Sequence, residues 1–136
     1  MELIQFKILN TAIERVLNNE MADLGLTYTQ ATVIGYLKRN KDKDICQKDI
    51  EFNLGLTHPT VSSILNRMEE SGMIHTEPMP FDHRYKRIKL TEKAISCSEC
   101  IHEKIEKIQK RLFEGISSEQ EEMINIAIKQ MIQNIV

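Results

Sequence analysis

The feature that most constrains this chain is how rarely it is punctuated. Five glycines and three prolines are spread over 136 residues. So few turn formers favour long helices over many short strands. Between the breaks, apolar residues keep helical spacing. Ile4, Ile8, Ala12, Ile13, Val16 and Leu17 recur three and four apart, which predicts one amphipathic helix, stopped at Gly25. Thr27-Tyr28-Thr29-Gln30 has capping-box spacing, and Val33, Ile34 and Leu37 continue an apolar face behind it. Lys38 to Lys43 is charged and aperiodic and predicts a loop.

A chain of this length is one ordinary domain that can bury a core without staples. Apolar residues make up 41% and charged residues 28%, against a wholly disordered chain. No apolar run approaches the roughly 18 residues of a membrane span. The start, MELIQFKILN, has an acid at position 2 and no basic-then-apolar leader, so no signal peptide is expected. Three cysteines, an odd number, do not make a disulfide framework. The expectation is an intracellular, cytoplasmic chain with no membrane partner. A net charge of −2 excludes a generic polycation but not a local basic patch.

From Asp44 the order becomes helix, turn, helix, hairpin. Asp44 is the expected N-cap, with Gln47 three residues on, of a helix carrying Ile45, Ile50 and Phe52 and ending near Asn53. Leu54-Gly55-Leu56 is the turn. Thr57 caps the next helix, with Pro59 in its first turn, where a missing N–H does no harm. Val61, Ile64, Leu65 and Met68 form the buried stripe, and Ser71-Gly72 ends it. At about 100° per residue the opposite face holds Pro59, Ser62, Ser63, Asn66 and Glu70, flanked by Thr60 and Arg67, with His58 at the mouth. A surface helix ordinarily carries Lys/Glu pairs there. Small hydroxyls, an amide and an imidazole instead fit a major groove and can read base edges. Glu69 and Glu70 would repel phosphates, so the N-terminal half, from Thr57, is expected to enter the groove.

Met73 to Glu77 and Arg87 to Leu90 are short and partly alternating, around a turn-rich stretch from Pro78 to His83. They predict a hairpin with a long tip, making the helix-turn-helix winged. From Asp44 to Lys93 the chain has seven Lys/Arg and eight Asp/Glu, so the window has no net positive charge. The basic residues instead collect at the tip: His83, Arg84, Lys86 and Arg87 are the candidate contacts. An arginine on a thin hairpin can enter the narrow minor groove, where the potential is most negative. The bland alternative is a solvated edge hairpin.

Beyond the wing, Thr91-Glu92 caps a helix reaching about Phe113, with Ile101, Ile105, Ile108 and Leu112 on its stripe. Gly115 breaks it. Ser118-x-x-Glu121 is the expected start of a last helix, where Met123 and Ile126 widen the apolar stripe beyond one face.

These residues, in this order, resemble the MarR family of winged-helix transcriptional regulators over nearly the whole chain. The strongest part is Asp82-x-Arg84-x-x-x-Ile88-x-Leu90-Thr91, similar to the family's wing signature. Leu26-Thr27-x-x-Gln30-x-x-Val33-Ile34-x-x-Leu37 is similar to its second helix. Thr57-x-x-x-Val61-Ser62 and Met68-Glu69-x-x-Gly72-Met73-Ile74 match its recognition helix and exit. Ala94 departs from the Gly the family often has after the Leu-Thr pair. The resemblance implies that Arg84 is the minor-groove residue and that Asp82 braces the wing. It also implies a homodimer, built from residues 1–24 and 92–136, around a winged helix-turn-helix at 26–94. The apolar excess of the terminal helices points the same way independently. Two-fold symmetry then sets two recognition helices about one DNA turn apart on a pseudo-palindromic operator of double-stranded DNA.

Cys97 and Cys100 share a helix face near the Ile101/Ile108 stripe. Core packing is the preferred reading, ahead of a sensing thiol, with zinc last. His102 lies about 140° from Cys97 and cannot complete a site without help. Cys46, near a helix start, is a candidate reactive thiol or a core residue. No Gly-rich phosphate loop, GxSxG or HExxH is present, so neither enzyme activity, cofactor nor metal is expected. The expected function is a dimeric, sequence-specific DNA-binding regulator, a repressor, released by a small-molecule or stress signal. Family members often take small aromatic or lipophilic ligands in a cleft. Tyr28 and Tyr36 are candidates for it and equally for the core. The alternative is a winged-helix protein-interaction module without DNA binding. The expected fold is mainly α with one β-hairpin.

Overall fold

Glycines in the left-handed region set where this chain stops and turns. Gly25, Gly55, Gly72 and Gly115 all have φ between 64 and 80°, a conformation that costs other residues about 1–2 kcal/mol. A computed structural model describes residues 1–136, with six helices and one antiparallel hairpin. Two compact units are distinguished, Met1–Lys104 and Ile105–Val136.

The first unit contains α1 (Leu3–Ala22), α2 (Tyr28–Arg39), α3 (Gln47–Leu54), α4 (His58–Glu70), β1 (Ile74–Pro78), β2 (Lys86–Leu90) and the start of α5 (Glu92–Leu112). The capping box on α2 is present as the spacing predicts. The Thr27 hydroxyl accepts from the Gln30 amide at 3.1 Å, and the Gln30 side chain accepts from the Thr27 amide at 3.1 Å. The core joins Met21 of α1, Val33 and Ile34 of α2, Ile50 of α3, and Val61 and Met68 of α4 to Ile74 of β1, all under 2% exposed or nearly so. Each such side chain contributes about 1.5–3 kcal/mol by burial, against about 1 kcal/mol for a typical hydrogen bond. Packing therefore places the helices, and caps set their ends.

The wing pairs Ile74 with Leu90 through Pro78 with Lys86. Its base is closed by one residue. The Thr91 hydroxyl donates to the Gly72 carbonyl at 2.6 Å and accepts from the Ala94 amide at 3.3 Å, and the Thr91 amide bonds Met73 at 3.1 Å. Thr91 thus ties both ends of the hairpin and caps α5. Ala94 is fully buried there.

Four local expectations are corrected. The cap of α3 is Cys46, not Asp44: its amide and thiol both donate to Asp49 Oδ2, at 2.9 and 3.3 Å. Asp44 is drawn away by Arg87, and Ile45 lies before the helix, where its carbonyl accepts from the Ile88 amide at 2.8 Å. Phe52 faces outward at 85% exposure. Thr57 sits at the N-cap of α4 without bonding an amide; its hydroxyl donates to Thr60 Oγ1 at 2.9 Å instead.

The second unit holds the end of α5 and α6 (Ser118–Ile135). The cap of α6 is Ser117 with Gln120, one residue before the expected Ser118-Glu121 pair. No side chain of α6 is buried; Met123 is 69% and Ile126 58% exposed. Ile4 and Ile8 on α1 are similarly exposed. No helix is long and apolar enough to cross a membrane.

Candidate nucleic-acid interface

The apolar stripe of α4 faces the core through Val61, Leu65 and Met68, and Ile64 is half-buried. That fixes the opposite face outward. His58, Pro59, Thr60, Ser63, Asn66 and Arg67 are all exposed. Ser62 is half-buried and turned toward α3, where its hydroxyl accepts from Gln47 Nε2 at 2.8 Å.

Two residues that the sequence reading did not place at the site, Gln47 and Glu51, hold the mouth of α4. His58 Nδ1 lies 2.8 Å from Glu51 Oε2 and 3.1 Å from Gln47 Nε2. The carboxylate can only accept, so Nδ1 carries the proton. The Gln47 amide then donates to Ser62, and Nε2 of His58 is the ring atom not engaged within the chain. Gln47 and Glu51 are one turn apart on α3 and address the first turn of α4 together. The i, i+4 spacing was visible in the sequence; that it faces His58 depends on the turn at Gly55.

At the wing tip the Tyr85 amide closes back on Asp82 at 3.1 Å, and the Met79 amide bonds Tyr85 at 2.8 Å. Asp82 accepts from the Arg84 amide at 3.0 Å and from its guanidinium at 2.9 and 3.1 Å. Arg84 holds the Asp82 carboxyl below the usual range, and Asp82 raises Arg84 in return. The Arg84 side chain is nevertheless 87% exposed. His83 and Lys86 are exposed beside it. Arg87 is placed differently. It is half-buried, 2.7 Å from Glu77 and 3.3 Å from Asp44, so it fastens the wing to the chain before α3. Glu77 is held low, chiefly by Arg87 and then by His75. Lys48 of α3 sits 5.9 Å over the Tyr85 ring, a cation–π contact.

A groove of about 380 Å³ runs between α3, α4 and the wing and brings Asn66, Arg84 and Lys86 together with His58. Tyr28 and Tyr36 do not line it. Both are half-buried on α2. The Tyr28 amide bonds Asn18, and the Tyr36 hydroxyl accepts from Asn53 at 3.1 Å. Burial, with Asp49 second, raises the Tyr36 hydroxyl above its ordinary value. Cys97 and Cys100 are half-buried free thiols, and no three His, Cys, Asp or Glu side chains converge on a metal-sized site.

Fold and face together define a winged helix-turn-helix protein. The MarR family model matches residues 24–84. The fold superposes on the transcription regulator MarR from Oenococcus oeni PSU-1 with a TM-score of 0.80 at 29% identity, over 95% of this chain and 96% of that one. It matches S. aureus MepR, solved as a DNA complex, at 0.88 and 23% identity, over 97% and 94% of the two chains. A MarR family transcriptional regulator from Listeria monocytogenes, complexed with a 26mer DNA, matches at 0.90 and 20% identity, over 99% and 89%. Residues 24–84 are similar to the MarR family, and the chain carries the fold of these solved regulators along nearly its whole length.

Proposed function

We propose that this chain is a dimeric, sequence-specific DNA-binding transcriptional regulator. The observation that carries the reading is the pairing of an outward face of small polar side chains on α4 with a projecting tip whose Arg84 is 87% exposed. Asn66, His58, Ser63 and Thr60 address base edges in the major groove, and Arg84 enters the adjacent minor groove. Thr57, Pro59, Arg67, His83 and Lys86 contact the backbone around them. Ser62 and Arg87 belong to the interface through what they hold, the first turn of α4 and the wing base. Asp82 braces Arg84. The DNA complexes of similarly folded proteins support the same reading.

A second copy covers the exposed apolar residues of the terminal helices, so that residues 1–24 and 92–136 form the dimerising part and 26–94 the DNA-reading part. The operator is then a pseudo-palindrome with half-sites about one helical turn apart. The sense assigned is repression, relieved by a small-molecule or stress signal, with Tyr28 and Tyr36 as candidate cleft residues. Selection of binding sites from a random duplex pool tests the reading. An enriched palindrome supports it, and a pool that stays random contradicts it.

A further inference from the structure

The clamp at the mouth of α4 decides more than where His58 stands; it decides which kind of base edge the ring can read. Glu51 Oε2 lies 2.8 Å from His58 Nδ1, and the two side chains are 20% and 70% exposed. The carboxylate is mostly covered, while the imidazole projects and borders the groove that Asn66, Arg84 and Lys86 also line. Gln47 does not compete for Nδ1. Both hydrogens of its amide have oxygen acceptors, Ser62 Oγ at 2.8 Å and the His58 carbonyl at 3.5 Å. Nδ1 therefore belongs to Glu51, and Nε2 faces outward without a partner in the chain.

A carboxylate beside a DNA-reading helix repels phosphate and weakens binding to every sequence alike. Its effect on His58 is different, because it discriminates. An ionised carboxylate only accepts hydrogen bonds, so it holds the ring proton on Nδ1. In the neutral ring Nε2 then carries a lone pair and acts as an acceptor. In the major groove adenine and cytosine present an amino group, whereas guanine and thymine present acceptors. Resting on the DNA-binding reading above, we infer that His58 reads adenine or cytosine in each half-site through Nε2 as acceptor. Glu51 is the positioning residue that sets this polarity. Guanine or thymine at the same place would set lone pair against lone pair, so the wrong base is repelled as well as left unbonded.

The test has two arms, both on the full-length chain at about pH 8, where a free histidine is neutral. The first needs no DNA. Nitrogen NMR of the imidazole rings distinguishes a protonated ring nitrogen from one with a free lone pair. The chain has four histidines, and His58→Ala assigns the signals by removing one set. Nδ1 of His58 should carry the proton and Nε2 should be bare. The second arm selects sites from a random duplex pool with the parent, His58→Ala and Glu51→Gln. The position that loses its preference in His58→Ala is the one His58 reads, and the parent should hold adenine or cytosine there. Glu51→Gln gives Nδ1 a neighbour that can donate, which frees the ring proton to move to Nε2. Preference for adenine or cytosine over guanine or thymine should then fall at least about fivefold at that position. The other positions should keep theirs, whereas a merely structural loss would blur the whole half-site. A proton on Nε2 in the parent, alone or with one on Nδ1, would overturn the inference. So would guanine or thymine at the His58 position, or an unchanged preference in Glu51→Gln. In each of those cases an enriched palindrome would leave the DNA-binding reading standing. A parent that enriches no site removes that reading and this one with it.

Discussion

The winged helix and the last helix carry apolar faces of similar make-up and end in opposite states. In the first unit the stripes of α2, α3 and α4 close on one another, and Ile34, Ile50, Val61 and Met68 are 1% exposed or less. On α6 no side chain is buried, although Met123, Ile124, Ile126, Ile128, Met131 and Ile132 lie within ten residues. One region is complete as a single chain and spends its outward face on small polar groups. The other leaves its apolar stripe uncovered within the chain. An apolar stripe in a sequence therefore says that a face will be covered, but not by which chain.

The largest expected effect breaks the incomplete region. Met123→Glu with Ile126→Glu places four carboxylates across a two-fold interface, because each substitution occurs twice. Like charges juxtaposed at an interface cost several kcal/mol, so dimer affinity should fall about a hundredfold or more. Sedimentation at low micromolar concentration measures it: the parent should run as a dimer and the variant should not. A parent that runs as a well-folded monomer contradicts the comparison itself.

The complete region should respond in specificity rather than assembly. Asn66→Ala and His58→Ala each remove a candidate base contact, worth about 1–3 kcal/mol of discrimination. Selection experiments on both variants should return altered half-sites with dimerisation intact. The same preferred site and the same discrimination in both would mean that the wrong face of α4 has been assigned.

A smaller effect is read at the wing tip as pH falls. Asp82 is depressed by Arg84, and Glu77 by Arg87 and then His75. A depressed carboxylate contributes stability above its unfolded pKa and loses it as pH falls through the lower folded value. The wing ties are therefore intact at neutral pH and loosen only under acid. The Arg84 amide, 3.0 Å from Asp82 Oδ1, reports this by its chemical shift. Its titration midpoint should lie below the ordinary aspartate value of 3.8 and rise toward it in high salt. A midpoint at or above that value in low salt removes the pair.

The smallest effect is expected from Cys97→Ser with Cys100→Ser. Two half-buried thiols that only pack should leave operator release by oxidants unchanged. Loss of the oxidant response in a folded double variant would make the pair a redox switch.

How much of this was legible follows the range of each interaction. The α2 capping box, the glycine stops and the stripe of α4 all rest on residues within a few positions of one another, and the sequence carries them. The cap of α3 was misread because Asp44 is a strong N-cap residue and cysteine is not. What displaced it is Arg87, 43 positions away. The clamp of Gln47 and Glu51 on His58 was invisible for the same reason: it exists only once the turn at Gly55 folds α4 back. Arg87 reads like Arg84 in a basic run, and only the paired strands reveal that one faces Glu77 and the other faces out. Phe52 broke the opposite way, an aromatic on a short helix that nothing in the chain covers.

The most direct test of the central claim, that the exposed wing tip works on DNA, is Arg84→Ala. The Arg84 side chain is 87% exposed, so melting temperature and dimerisation should change little. Affinity should fall, and fall more for operators with A·T-rich flanks than for G·C-rich ones, because A·T tracts narrow the minor groove and deepen its negative potential. Fluorescence anisotropy on both duplexes, with melting of the variant in parallel, gives all three quantities. A stable variant with a flank-dependent loss of affinity is the expected result. Equal affinity for both duplexes in parent and variant alike would contradict it and leave a winged helix that serves protein contacts instead.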